Sequence, residues 1–185
     1  MKFGIFSTVT KADERSVHQL FKENLEQVTC AEELGFDSFW FAEHYFSTYS
    51  MIASPNLMVA AAARQTRHTK LGPAVNVLPF HQSIRLAEEG AMLDMISDGR
   101  LLWGIGRGIQ PGEFIPWRVE REHSRAIFEE VHDAMIKAWT QPTFSYDGQF
   151  IHIPETSLAV RSVQQPHPPI WVAGLAALRR STSAG

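Results

Sequence analysis

The stretch FDSFWFAEHYF, residues 36–46, decides the fold. Phe36 to Ala42 is apolar and rich in aromatic side chains, the composition of a strand. The polar run Glu43-His44-Tyr45 follows at once. An apolar run with no alternation fits a strand buried on both faces, as in parallel sheets covered by helices. Polar residues gathered just beyond such a strand are what a (β/α)₈ barrel places at its catalytic end.

The pattern repeats on both sides of this stretch. Phe3 to Val9 reads as a first strand. Val17, Leu20, Phe21, Val28 and Leu34 then recur at helical spacing, with Gly35 as the C-terminal cap. Ser54-Pro55 gives an N-cap and a proline at the first helical position, ahead of the alanine-rich Leu57 to Arg64. Leu71 to Leu78 is a third strand, entered through Gly72-Pro73. A helix over Ser83 to Ile96 stops at Ser97-Asp98-Gly99, and Leu101 to Ile105 is a fourth strand. Gly106 to Trp117 reads as loop, and a long helix is expected from Glu120 to Trp139. Phe144 to Ile151 reads as a hairpin with an Asp147-Gly148 turn, and Ile170 to Ala173 as a fifth strand.

Strands therefore start near residues 3, 36, 71 and 101, the step of a βαβ unit of about 30 residues. Strict alternation implies a parallel sheet with helices outside it. No G-x-G-x-x-G follows the first strand, which weighs against a dinucleotide-binding sheet. The 185 residues fall short of the about 250 of a complete barrel. The expectation is one α/β domain over residues 1–185: the first four βα units of a (β/α)₈ barrel plus a fifth strand. It is C-terminally incomplete, with a disordered tail at 179–185.

The apolar fraction of 44%, the charged fraction of 20% and the net charge of -3 are those of an ordinary globular domain. No basic run points to nucleic acid. No window approaches a membrane span, and the start MKFGIF lacks the apolar stretch of a signal peptide. The single cysteine, Cys30, reads as a small core residue, buried or half-buried, and suits a reducing, cytoplasmic setting.

Several residues could carry chemistry. His44, at a strand end, suits proton transfer, because the imidazole titrates near neutrality. The same residue reads equally as a structural histidine bonded to a carbonyl. Trp40 is either a pocket wall or core. In Gly104-Ile105-Gly106-Arg107-Gly108 the glycines permit close approach of a ligand, and Arg107 offers forked donors to a phosphate. Arg125, at the start of the long helix, either joins Arg107 on one dianion or pairs with Glu122 or Glu129 on its own helix. No metal-ligand spacing and no G-x-S-x-G elbow occurs, so no metal centre is expected.

Read together, KFGIFS, FDSFWFAEHYF, KLGPAVNVLPFHQSIRLAEEGAMLDMISDGRLLWGIGRG and HSRAIFEE closely resemble the bacterial-luciferase-like flavin-dependent monooxygenases. The likeness runs over roughly residues 1 to 175, and its specificity lies in the combination of motifs. It implies reduced FMN supplied by a separate flavin reductase. It also implies O₂ and a small organic co-substrate, a C4a-peroxyflavin, and a homo- or heterodimer. His44 matches the family's histidine beside the flavin. Arg107 and Arg125 match arginines on its phosphate. Ala74-Val75 falls where the family has a non-prolyl cis peptide beneath the ring, and Asn76 follows at the flavin edge.

The family's phosphate-binding serine or threonine after the fifth strand would be Ser181 or Thr182, at a spacing that departs from the pattern. Two other readings stand beside a monooxygenase whose chain is here a fragment. One is a non-catalytic, flavin-binding or subunit-like relative completed by dimerisation. The other is a deazaflavin-dependent reductase of the same barrel superfamily, which the AEH motif disfavours.

Overall fold

Strand β1 (Gly4–Ser7) pairs in parallel with β2 (Ser38–Phe41), and β2 with β3 (Lys70–Pro73). In this computed structural model, which describes residues 1–174, β4 (Asn76–Val77) pairs with β5 (Trp103–Gly106). Strand β5 pairs in turn with β8 (Ile170–Val172), and all these pairings are parallel. A bridge between Leu71 and Leu101 joins the two ladders into one curved sheet. The expected third strand, Leu71 to Leu78, is thus two pieces. A cis peptide at Ala74-Val75 separates them, and a 3₁₀ turn over Leu78–Phe80 ends the second.

Helices α1 (Val17–Glu33), α2 (Pro55–Gln65), α3 (Ser83–Ile96) and α5 (Ser124–Thr140) follow the strands in order and cover the outer face. Phe39 and Phe41 point beneath the helices and are fully buried, as are Leu71, Leu101, Trp103 and Ile105. Each such side chain contributes roughly 1.5–3 kcal/mol by leaving water. The inner face of β2 carries Ser38 and Trp40, both half-buried. Trp40 donates from Nε1 to Ser38 Oγ at 2.9 Å and meets Trp171 edge-on at 5.8 Å. The tryptophan therefore stands on the open inner face of the sheet rather than in the core beneath the helices. Among the described residues β1 and β8 each pair on one side only, and Phe6, Trp171 and Val172 are exposed along these edges.

Helix α1 ends in a Schellman motif: Phe36 N donates to Ala31 O and Gly35 N to Glu32 O, with Gly35 at φ 81°. Its buried stripe is Leu20, Asn24, Val28 and Ala31, which leaves Cys30 off the stripe and exposed, against the core position expected for it. The segment after β5 is not all loop, because Pro111–Phe114 forms a short helix, α4. Helix α5 begins at Ser124 rather than Glu120, since the chain before it turns through Arg118 at φ 54°. The hairpin β6 (Phe144–Asp147) and β7 (His152–Thr156) has no two-residue Asp-Gly turn. The Glu130 carboxylate accepts from the N–H groups of Gln149, Phe150 and Ile151, and so shapes a longer loop. The tail from 179, with Ser181 and Thr182, lies outside the described residues.

Candidate active site

The strands are parallel, so the residues that follow β2, β3 and β5 share one end of the sheet. Residues 43–45, just past β2, are held by two buried carboxylates. Glu113, from α4, accepts at Oε1 from His44 Nδ1 at 3.0 Å and from Tyr45 N at 2.9 Å. Its side chain is 6% exposed. Glu43, buried below the same loop, accepts from Tyr45 Oη at 2.6 Å, from Val77 N at 3.0 Å and from His81 Nε2 at 2.9 Å. A buried carboxylate needs such partners, because desolvation otherwise costs several kcal/mol. Burial, reinforced by the charge on Glu43, pushes the Tyr45 hydroxyl well above the usual phenol range, so Tyr45 remains a donor.

With Nδ1 engaged by Glu113, the hydrogen-bond pattern assigns His44 the Nδ1–H tautomer when neutral. Nε2 has no partner among the described residues, and the ring lines a hollow of about 250 Å³ with Tyr45, Phe46, Tyr49 and Gln110. This arrangement can take up and return a proton at Nε2 while the carboxylate fixes the ring, the logic of a histidine steadied by a buried acid. A larger hollow of about 640 Å³ lies elsewhere, along Phe3, Phe6, Trp40 and Trp171. It lies on the open inner face of the sheet, and although Glu32, Asp37 and His68 also line it, the two acids accept backbone N–H groups and neither pairs with the His68 ring among the described residues, so the smaller hollow is the candidate site.

Between the two pieces of the third strand, Ala74 and Val75 are half-buried while Leu71–Pro73 and Asn76–Phe80 are buried. The cis peptide stands at the position the resemblance implies. Asn76 is fully buried, and among the described residues neither atom of its amide finds a partner. The glycines beside it are explained by protein rather than by ligand. A Cβ on Gly104 would lie 2.0 Å from Pro73 O, and one on Gly106 would lie 2.5 Å from Val75 Cγ2. The expected room for a ligand is therefore taken by the third strand itself, pressed against β5.

Arg107 follows Gly106 directly, is exposed, and makes no hydrogen bond or ion pair among the described residues. Arg125 sits in the first turn of α5 and donates from Nε to Glu129 Oε1 at 3.0 Å, the helix-face pairing that was one of its two expected states. Its side chain is 79% exposed, so this pair stabilises little. His44, the Ala74-Val75 peptide and Arg107 thus each follow a strand at the same end of the sheet, whereas the hollow beside His44 is lined by neither Ala74, Val75 nor Arg107.

Glu43, His81 and Glu113 escaped assignment from sequence. Glu113 is the one acid in the Gly106–Trp117 segment, and Pro111 with Glu113 is a helix-start signal. The aromatic cluster that docks this segment was also unseen. Tyr45 meets Trp117 at 4.9 Å, and Phe80 meets Phe114 at 4.9 Å.

Residues 1–182 match the family model of the luciferase-like monooxygenases. The chain is 33% identical over 177 residues to the oxygenase component of the flavin-dependent trigonelline monooxygenase of Acinetobacter baylyi, covering 94% of this chain and 49% of that protein. Its fold matches monooxygenase RslO1 from Streptomyces bottropensis with a TM-score of 0.89 and 36% identity, over 93% of this chain and 53% of that one. It also matches the oxygenating constituent of 3,6-diketocamphane monooxygenase from Pseudomonas putida, solved in complex with FMN. That match has a TM-score of 0.84 and 27% identity, over 93% of this chain and 51% of that one. The chain thus spans about half the length of the relatives it matches. With this coverage and this strand-end geometry, the chain belongs to the luciferase-like monooxygenase family.

Proposed function

We propose that this chain carries the flavin-binding end of an FMN-dependent monooxygenase, which inserts one oxygen atom of O₂ into a small organic substrate and releases the other as water. The observation that carries the reading is that His44 steadied by Glu113, the half-exposed Ala74-Val75 peptide and Arg107, which has no partner among the described residues, each follow a parallel strand at the same end of the sheet. Reduced FMN, when bound, supplies the electrons for O₂ activation. Ala74 and Val75 offer a flat apolar floor to its ring, and Asn76 offers an amide that has no partner among the described residues. Arg107 holds the phosphate, joined by Arg125 once it leaves Glu129. His44 moves a proton at Nε2, and the Tyr45, Phe80, Phe114 and Trp117 cluster keeps water from its flank.

The sheet then forms five consecutive strands of an eight-stranded barrel, with β1 and β8 as the strands that the rest of the barrel would pair with. A separate reductase delivers the reduced flavin, in keeping with the wording "oxygenase component" for the trigonelline enzyme. A dimer and a cytoplasmic setting complete the reading. Among the described residues, no helix is long and apolar enough to cross a membrane.

Rapid mixing of the protein and FMNH₂ with aerated buffer tests the proposal by absorbance. Oxidised flavin should return more slowly than in free solution. His44→Ala should shorten that delay and lower oxygen transfer by roughly 10²–10⁴-fold while flavin still binds. Return at the free-flavin rate with the wild-type chain would refute it.

A further inference from the structure

Glu43 has no place in the proton chemistry assigned to His44, yet its side chain is fully buried and is the most connected polar group at this end of the sheet. Its three partners come from two segments. Tyr45 lies on its own loop. Val77 and His81 lie at the two ends of the turn that follows the cis peptide, and that turn closes through His81 N donating to Leu78 O at 3.1 Å. The carboxylate thus grips residues 77–81 at both ends. Val77 is two residues beyond Val75, and Val75 is wedged on Gly106. The His81 ring is 22% exposed, so the clamp reaches from the buried carboxylate to the surface.

Resting on the flavin reading above, we propose that Glu43 and His81 are a positioning pair that fixes the Ala74-Val75-Asn76 floor under the flavin ring, acting through the Val77 amide. Neither residue touches the ring. Glu43 and His44 are neighbours in sequence with opposite assignments: Glu43 is turned to the third strand and His44 to the hollow. One strand end thereby sets both the floor and the proton-transfer group.

Two readouts on the wild-type chain, Glu43→Gln and His81→Ala test the pair. The first is hydrogen exchange of the amides at 75–77 without flavin. The second is the visible-region circular dichroism of bound oxidised FMN. Glu43→Gln preserves side-chain shape, and far-ultraviolet circular dichroism verifies the fold of both variants. Loss of a hydrogen bond to a charged group should speed exchange at these amides about 10–100-fold. The dichroism of the ring should change in both variants. The preference for FMN over riboflavin, which reads the distant phosphate, should stay within about twofold. Folded variants that keep wild-type exchange and wild-type ring dichroism overturn the pair alone. A wild-type chain that binds no flavin overturns the reading on which it rests, whatever the exchange shows.

Discussion

The two ends of the sheet are both rich in buried or half-buried charge but use it differently. At the N-terminal ends of the strands, charged side chains hold backbone. Glu32 accepts from the N–H groups of Arg67, His68 and Thr69. Arg100 donates to Thr66 Oγ1 and to the carbonyls of Ala63, Thr66 and Thr69. Asp94 accepts from the backbone and side-chain N–H groups of Gln164. At the C-terminal ends, Glu43 and Glu113 hold histidines, Asn76 is left without partners among the described residues, and Arg107 faces solvent. At the first end the charged side chains are spent on backbone and neighbouring amide groups and serve stability. The other keeps donors and acceptors in reserve, the division of labour expected of a barrel.

The largest effect is expected at Glu113. Glu113→Gln keeps the volume but removes the charge that faces His44. Oxygen transfer with reduced FMN should fall about 10–100-fold, by analogy with the loss of other residues that orient a histidine. The melting temperature should move little. A large loss of stability with unchanged turnover per folded molecule would reverse the roles assigned to the two ends.

Glu32→Gln should do the opposite. Losing a charged acceptor of three N–H groups should cost about 1–3 kcal/mol in urea unfolding and leave turnover of the folded protein unchanged. The pH dependence sharpens this. Burial pushes the Glu32 carboxyl up, but the N–H groups of Thr69, His68 and Arg67 outweigh it and hold the carboxyl down to about 2, against an ordinary 4.5. A lowered value stabilises the fold fully above the ordinary value, and that contribution is lost as pH falls through the folded value. Wild-type stability should therefore decline between pH 4.5 and about 2, and Glu32→Gln should flatten that decline. An equal decline in the variant would assign it to other carboxylates.

The sequence disclosed these ends unequally. The strand–helix rhythm, the Ser54-Pro55 helix start and the stop at Ser97-Asp98-Gly99 are local signals, and each stands in the structure. The strand-end positions of His44 and Arg107 were legible because each lies within two residues of the end of an apolar run. The cis peptide came only through family resemblance, since nothing local in Pro-Ala-Val-Asn announces it. Glu113 and His81 were hidden because their partners lie 69 and 38 residues away. The glycines of 104–108 were read as space for a ligand, whereas the space belongs to Pro73 and Val75. That approach depends on how the third strand breaks, which no window around Gly104 contains.

The proposed hold of the C-terminal end on a phosphorylated flat ring runs through Arg107, and fluorescence titration of the wild-type chain and Arg107→Ala, each with FMN and with riboflavin, reads it without intermediaries. The wild type should bind FMN about 10–100-fold more tightly than riboflavin, and Arg107→Ala should close most of this gap without changing riboflavin binding. Equal affinities of the wild type for the two flavins, or a gap that survives in Arg107→Ala, would remove Arg107 from the phosphate.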